Sequence, residues 1–347
     1  MAGRKFSIMQ YLNTRCAELD PLSSFRATNA AEARKWRSRA LAKIRDLLGE
    51  SPEWVPLQAE TVESVDAGTY VRHKIIFDSD HYSSVPAYIL IPKELSEPGP
   101  ALLCLHGHGP GKDVVAGVTT ADACHSEQDK QQSITQHNYD YARQFAERGY
   151  VTFTFDFRCF GERAETACPL NGHDPCNVHF LHGSLLGINL LALNIHDAIR
   201  ALDYLTERPE VDCGRIGCVG LSLGGAMTMW VAAVDKRIAA AVISGYICEF
   251  ERFAVREGNL CGSQFVPALR RYFDTCDIAA LIAPRPLLVQ SGIHDQDFPI
   301  ESAQRAFEKL ERAYKVLGKP RCLAHDIFEG GRRFHAETAF EWFDRWL

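Results

Sequence analysis

The stretch Arg215-Ile-Gly-Cys-Val-Gly-Leu-Ser-Leu-Gly-Gly-Ala226 holds the pattern that decides the fold. Its first half is apolar and predicts a buried strand, and residues 226–234 carry apolar side chains at helical spacing. Gly220-Leu-Ser222-Leu-Gly224 lies at the junction, where the G-x-S-x-G nucleophile elbow turns a strand sharply into a helix. The two glycines let the strand and helix backbones approach closely. The stretch therefore predicts that Ser222 is a nucleophile on a strained turn.

Strand and helix patterns alternate through the rest of the chain. Strands are predicted at 70–77, 85–91, 101–106, 150–156, 215–221, 238–244, 286–291 and 322–328, and helices near 135–149, 184–207, 224–235, 300–317 and 336–347. This alternation predicts an α/β fold with a mostly parallel, eight-stranded sheet and helices on both faces.

The ends and one long interruption define the predicted domain organisation. Residues 1–60 are expected to form an N-terminal helical extension, with Asn29 and Glu32 as a capping pair, and residues 61–347 the main domain. Residues 245–284 interrupt the alternation and are predicted to be a helical insertion over the carboxyl ends of the strands, where open α/β sheets bind ligands. Phe250 and Phe253 in this insertion are therefore expected, with Phe265, to form part of the substrate wall.

Composition limits the partners and the compartment. The 347 residues carry a net charge of −6, which provides no electrostatic footprint for nucleic acid. No apolar run reaches 18 residues, so no membrane contact is expected. The first residues lack a signal-peptide pattern, and several of the 12 cysteines lie in apolar strand runs, which favours reduced thiols and a cytoplasmic protein. The oligomeric state is left open, with a homodimer allowed.

A second glycine-rich loop, His106-Gly-His-Gly-Pro-Gly111, follows the strand at 101–105. A phosphate loop does not fit, because Gly111-Lys112 is followed by Asp113 and not by Ser or Thr. The favoured interpretation is an oxyanion loop, in which the N–H groups of His108 and Leu223 bind the developing negative charge. The alternative is a plain glycine-rich turn.

Together these motifs resemble the α/β-hydrolase superfamily, and within it the dienelactone-hydrolase and acetylxylan-esterase-like branch. The resemblance covers roughly residues 68–347 and includes Asp156-Phe-Arg-Cys-Phe-Gly-Glu162, Gly292-Ile-His-Asp295-Gln-Asp-Phe-Pro299 and Gly330-Gly-Arg-Arg-Phe-His335. It implies a serine nucleophile followed along the chain by an acid and then a histidine.

The acid and the base are assigned by position within this resemblance. Asp295 follows an apolar strand and a glycine turn and is the expected acid, with Asp297 as the competitor. Families of this branch usually have Gly-Gly-His after the last strand, but Gly330-Gly331 is followed here by Arg332, which cannot act as a general base. His335 is the nearest histidine and becomes the predicted base, while His325 lies inside a strand. Arg332 is then expected to bind an anionic group of the substrate.

One further cluster contains metal-ligand residue types. His173, Cys176, His179 and His182 recur at intervals of three, a spacing that matches neither Cys-x-x-Cys nor His-Glu-x-x-His. The loop residues around them favour a role in shaping substrate access, so no metal and no cofactor are expected.

The predicted function is that of a serine esterase that acts on a small-molecule carboxylic ester through an acyl-enzyme intermediate, with acetyl esters of carbohydrates among the candidate substrates. The resemblance also permits a lactone or thioester hydrolase, and a peptidase of the prolyl-oligopeptidase type is a weaker alternative because no propeller-length region precedes residue 68. A different class stays open because of Arg332: a hydrolase-fold binding protein with impaired catalysis.

Overall fold

A nine-stranded sheet forms the centre of the computed structural model, which describes residues 5–95, 97–165, 173–259 and 261–347. The order of its strands is β1-β2-β3-β5-β4-β6-β7-β8-β9. Their bounds are β1 Glu60–Asp66, β2 Tyr70–Asp80, β3 Ser83–Pro92, β4 Gly99–Leu105, β5 Val151–Phe155, β6 Val211–Leu221, β7 Ile238–Ser244, β8 Leu287–Gly292 and β9 Leu323–Phe328.

Six strands, β4 to β9, pair in parallel with one another, whereas β1, β2 and β3 are antiparallel to their neighbours. The α/β fold with a mostly parallel sheet is thus confirmed, but the expected count of eight strands is wrong. The additional strand is β1, whose sequence Glu-Thr-Val-Glu-Ser-Val-Asp is exposed along nearly its whole length. A strand without a buried face gives no clear apolar alternation, so its pattern was not recognisable.

Helices cover the sheet. Their bounds are α1 Ile8–Ala17, α2 Ala30–Leu48, α3 Lys112–Val115, α4 Glu127–His137, α5 Tyr141–Ala146, α6 Pro175–Leu186, α7 Leu190–Thr206, α8 Leu223–Val234, α9 Leu269–Tyr272, α10 Thr275–Ala279, α11 Ile300–Val316 and α12 Ala336–Trp346. Short 3₁₀ turns lie at Gly161–Arg163 and Pro320–Cys322, and a π-helical turn spans Glu251–Arg256.

Two predicted helices are divided in the structure. The segment expected to form one helix near 135–149 contains the end of α4 and the whole of α5. The two helices are separated because Asn138 adopts a left-handed conformation (φ +52°). The helix expected at 184–207 begins at Leu190 and not at Ser184, which lies inside α6. Gly187, at φ +77°, ends α6 before α7 starts.

The N-terminal segment packs on the main domain. Asn29 caps α2 by accepting a hydrogen bond from the Glu32 N–H (3.0 Å), whereas the Glu32 carboxylate accepts from Thr28. Trp36 and Ile44 of α2 are buried in the largest apolar cluster, together with strands of the sheet. The helices of this segment therefore contribute to the core of the main domain.

The helical insertion predicted at 245–284 consists, among its described residues, of short pieces: the π-helical turn, α9 and α10. In the described part of the chain, no single helix has the length and apolar character to cross a membrane. Helices α6 and α7 pass that test only as a pair, and they meet at an angle of 100°.

The turn between β6 and α8 brings the backbones of the strand and the helix close together. A Cβ on Gly220 would lie 2.3 Å from the carbonyl oxygen of Gly224, and one on Gly224 would lie 2.0 Å from the carbonyl oxygen of Leu105 in β4. Both obstacles are backbone atoms, which move only together with the strands and the helix.

We expect Gly224→Ala to lower the free energy of unfolding by about 3 kcal/mol or more, because its methyl group would collide with the backbone of β4. The matched control is Gly109→Ala, since a Cβ at Gly109 meets nothing within 4 Å and the change should cost less than about 0.5 kcal/mol. Urea unfolding of the two variants measures the difference. Equal stability of both variants would contradict this account of the turn.

Candidate active site

Ser222 is held at the tip of the turn between β6 and α8. Its backbone has φ +60° and ψ −118°, a conformation that side-chain-bearing residues rarely adopt. The Ser222 N–H donates to the carbonyl of Ser244 at the end of β7 (3.0 Å), and its carbonyl accepts from Ala226 (2.9 Å). These bonds hold the strained conformation that the elbow motif predicted.

Two backbone segments beside Ser222 can present N–H groups. The N–H of Leu223, the first residue of α8, has no acceptor within its own helix. The loop after β4 contacts the end of β6, because a Cβ on Gly107 would lie 2.8 Å from the carbonyl oxygen of Leu221. His108 follows in this loop, so both residues of the predicted oxyanion hole lie next to the turn.

His106 anchors the oxyanion loop as a neutral imidazole. Its Nε2 accepts a hydrogen bond from the Phe157 N–H (2.9 Å), which leaves the proton on Nδ1, directed to the carbonyl of Gly107 (2.7 Å). Complete burial lowers the pKa of His106 to about 3, so the ring stays uncharged at neutral pH.

Asp295 lies after β8, at the position expected for the acid, and is 6% exposed. Its Oδ1 accepts hydrogen bonds from the N–H groups of Asp297 (2.9 Å) and Phe298 (3.1 Å). Its Oδ2 is buried and has no hydrogen-bond partner among the described residues. Desolvation raises the pKa of Asp295 to about 6, although the two N–H groups and Arg332 oppose the rise. An unsatisfied buried carboxylate oxygen suits a donor such as an imidazole.

Arg332, which follows Gly330-Gly331 where the resembled families carry a histidine, lies close to this oxygen. A Cβ on Gly245 would lie 3.3 Å from Arg332 Cγ and 3.6 Å from Asp295 Oδ2, so the Arg332 side chain runs past the acid. The Arg332 guanidinium forms an ion pair with Asp297. The second aspartate of the stretch 292–299 is therefore the partner of Arg332. Asp297 does not cap α11, whose N-cap residue is Pro299.

His335 is paired with a different carboxylate. Its Nδ1 lies 2.7 Å from Asp326 Oδ2, and its ring packs against Phe328 with 4.7 Å between the centroids. Gln290 and Thr338 donate to the same Asp326 oxygen. The expected pairing of His335 with Asp295 is therefore absent, because the chain has already turned into the N-cap of α12 at His335.

His325 fulfils the structural role that its strand position suggested. Its Nε2 lies 3.0 Å from Ser291 Oγ, and its ring stacks on Phe307 at 4.4 Å. Burial lowers its pKa to about 4.

The aromatic residues assigned to the substrate wall are core residues. Phe250 is 2% exposed and Phe253 is fully buried, and both contact Phe265. Phe253 also packs against Tyr246 and Phe298 at centroid distances of 5.5 and 5.0 Å. The expectation was wrong because an interruption of the strand–helix alternation does not reveal which way its side chains point.

The residues near α6 separate into two sets. His179 and His182 line a cavity of about 430 Å³ together with Arg158 and Arg163. Cys176 instead points to His108, and His173 immediately follows the residues 166–172 that lie outside the description. The expectation that this segment shapes substrate access stays a prediction.

The acidic motif after β5 is structural. Asp156 is buried and pairs with Lys112 Nζ (2.9 Å), which also contacts Glu162. Arg158 pairs with Asp80 (2.7 Å) and Asp197 (2.9 Å). These ion pairs fix the loop beneath the site.

The profile of the Abhydrolase family matches residues 2–338. The chain belongs to the Abhydrolase family. It is also 29% identical over 295 residues to the protein named "Putative hydrolase YtaP" of Bacillus subtilis (strain 168), covering 82% of this chain and 90% of that protein.

Solved structures share the fold of this Abhydrolase family member. A "putative acetyl xylan esterase" from Bacteroides fragilis NCTC 9343 superposes with a TM-score of 0.78 at 21% identity, covering 94% of this chain and 83% of the other. A glucuronoyl esterase from Solibacter usitatus superposes with a TM-score of 0.70 at 19% identity, covering 94% and 99%. These superpositions show a shared fold, and the match to the Abhydrolase family confirms the predicted resemblance to α/β-hydrolases.

We expect Asp295→Asn to be more stable than the wild type at pH 8, and the advantage to shrink as the pH falls below 6. The folded-state pKa of about 6 lies above the ordinary value of 3.8, so Asp295 favours folding when protonated and loses that contribution as pH rises through 6. A pKa difference of about two corresponds to a gain of at most about 3 kcal/mol. Urea unfolding at pH 5 and pH 8 measures it. A stability difference from the wild type that is the same at both pH values would contradict the raised pKa.

The burial of Phe253 in the core leads to a separate prediction. Phe253→Ala should lower the free energy of unfolding by about 3–5 kcal/mol, because it leaves a cavity in the core. Tyr82→Ala is the control, since Tyr82 is 98% exposed and its loss should change stability by less than about 0.5 kcal/mol. Thermal unfolding of both variants tests this, and a stable Phe253→Ala protein would return Phe253 to the substrate wall.

Proposed function

We propose that this protein is a serine hydrolase of carboxylic esters, with Ser222 as the nucleophile. The observation that carries the proposal is the backbone of Ser222, held at positive φ between a parallel strand and a buried helix, with the N–H of Leu223 beside it. A serine in this position projects its hydroxyl from the carboxyl edge of the sheet, where α/β proteins bind ligands.

The chemistry is acyl transfer. Ser222 Oγ attacks the ester carbonyl, its proton passes through solvent water to the leaving oxygen, and the alcohol leaves, giving an acyl-enzyme that water hydrolyses. The N–H groups of His108 and Leu223 bind the negative charge that develops on the carbonyl oxygen. Asp295 Oδ2 would orient a histidine base at position 332, but this chain carries Arg332 there.

Removal of the proton from Ser222 is the step that this site supports least. Arg332 occupies the space beside Asp295, and a guanidinium stays protonated at physiological pH and accepts no proton from Ser222. His335 is engaged with Asp326. We therefore propose that wild-type turnover is slow, supported by the oxyanion hole and substrate binding, which alone retain a substantial rate enhancement in serine hydrolases that lack a triad member.

Carbohydrate esters are the proposed substrate class. Two of the structural neighbours bear the names of acetyl xylan and glucuronoyl esterases, which supports small acyl or uronoyl esters, with lactones and thioesters as chemically related candidates. Arg332 retains N–H donors besides the one that meets Asp297, which suits a substrate with a carboxylate.

Arg332 also favours a second candidate function. Its ion pair with Asp297 closes the position that a base would need, so a hydrolase-fold protein that binds esters without hydrolysing them fits the same site. The two candidates differ in whether wild-type turnover depends on Ser222.

We expect Arg332→His to raise kcat/KM for p-nitrophenyl acetate by about 100- to 10,000-fold, because a histidine there gains Asp295 as its partner. The rate should then rise with pH through one ionisation near neutrality, as a histidine base requires. Ser222→Ala in either background should remove the activity. An unchanged rate in Arg332→His would contradict the assignment of position 332.

His335→Ala is the matched control for the same assay. It should leave the wild-type ester turnover within about twofold, because His335 interacts with Asp326 and not with the acid of the site. A loss as large as that of Ser222→Ala would restore His335 as the base. Wild-type turnover that survives Ser222→Ala would favour the binding protein and a background reaction.

A further inference from the structure

Two buried cysteines and one histidine converge beside the oxyanion loop. His108, Cys176 and Cys261 place their ligand atoms, one imidazole nitrogen and two sulfurs, within 4.8 Å of one another. Cys176 and Cys261 are 1% and 4% exposed, and His108 closes the outer side of the cluster. They come from three separate parts of the chain: the loop after β4, the first turn of α6 and the segment between β7 and β8.

The distances suit a tetrahedral metal ion. Cys176 Sγ lies 3.7 Å from His108 Nε2, and a tetrahedral Zn²⁺ with ordinary bond lengths separates its ligand atoms by about 3.3–3.8 Å. The two sulfurs are 3.0 Å apart, longer than the roughly 2.05 Å of a disulfide and shorter than this separation. A small outward shift of one thiolate would fit the ion.

Asp174 supplies the fourth ligand type. Its Oδ2 lies 3.0 Å from His108 Nε2, and its Oδ1 lies 3.0 Å from Cys176 Sγ. The Asp174 side chain also caps α6 by accepting from the Cys176 N–H (3.2 Å). A carboxylate that reaches two of the three ligands can move onto an ion between them with a change of side-chain torsion.

The backbone next to Cys261 lies close to the backbone of α6. A Cβ on Gly262 would lie 2.3 Å from the carbonyl oxygen of Cys176, so only glycine allows the segment to lie this close to α6. The Gly262 N–H donates to Asn177 Oδ1 (2.8 Å). These contacts hold the two sulfurs together independently of any bond between them.

We propose that His108, Asp174, Cys176 and Cys261 form a zinc-binding site. Two thiolates, an imidazole and a carboxylate are ligands that Zn²⁺ accepts, and binding would release the two thiol protons. The ion would connect the oxyanion loop to α6 and to the segment after β7. It would act on the position of His108, since the His108 N–H belongs to the proposed oxyanion hole while its side chain belongs to the zinc site.

The test measures metal binding directly and does not depend on ester hydrolysis. The full-length protein, reduced with a phosphine, is titrated with Zn²⁺ in competition with a chromophoric chelator. One equivalent should bind, and Co²⁺ should give the visible d–d bands and thiolate charge-transfer absorption of a tetrahedral site. Cys261→Ser and Cys176→Ser should weaken Zn²⁺ binding by more than about 100-fold, because changes outside the ligand set already cost 10- to 100-fold.

Cys248→Ser is the matched control, since Cys248 is also a buried cysteine of the segment 245–284 but is not part of the cluster. It should bind Zn²⁺ like the wild type. His108→Gln tests the same site through an exposed side chain, whose replacement leaves the buried cysteines unchanged, and should also lose most of the affinity.

Binding of Zn²⁺ that is equal in the wild type, Cys261→Ser and His108→Gln would overturn the proposal. So would the absence of binding to the reduced protein, together with a Cys176–Cys261 disulfide found by peptide mapping without reductant. That result would assign the pair to thiol oxidation. Neither result bears on Ser222 or Arg332, so the failure of this site and of the proposed function are distinguishable.

Discussion

The close contact between the β6 and α8 backbones is the constraint on which the rest of the site depends. Gly220 and Gly224 bring the strand and the helix so near that the intervening residue is forced to positive φ. The same approach places the first N–H of α8 beside the loop that follows β4. Strain at Ser222, the position of its hydroxyl and the proposed anion-binding pair of N–H groups therefore share one cause.

The charged side chains around that contact fall into two groups, those that are paired and one that is not. Beneath the site, Asp156, Lys112 and Glu162 satisfy one another, and Asp197 receives two arginines. At the site itself, one Asp295 oxygen has no hydrogen-bond partner among the described residues, and burial raises the pKa of Asp295. A buried carboxyl left in this state is costly for stability, which is a common property of residues retained for chemistry.

The sequence was informative where local pattern and local structure coincide. The elbow at Ser222 and the position of Asp295 after a strand were predicted because each depends on the residues immediately around it. The partner of His335 was not predictable, since Asp295 and Asp326 both precede it and only the path of the chain into α12 decides which one it meets. Cys261 lies 85 residues from Cys176, and no spacing rule connects them. Phe253 was misassigned because apolar residues in an insertion look alike whether they face a pocket or the core.

The exposed strand β1 has a consequence for the behaviour of the protein in solution. It forms one outer edge of the nine-stranded sheet, and unpaired N–H and C=O groups at an edge can pair with another polypeptide. Glu60, Glu63 and Asp66 place three negative charges on this short strand, which has a register shift between Thr61 and Glu63. Two copies meeting edge to edge would bring like charges together across an irregular ladder, so β1 discourages the growth of the sheet into aggregates.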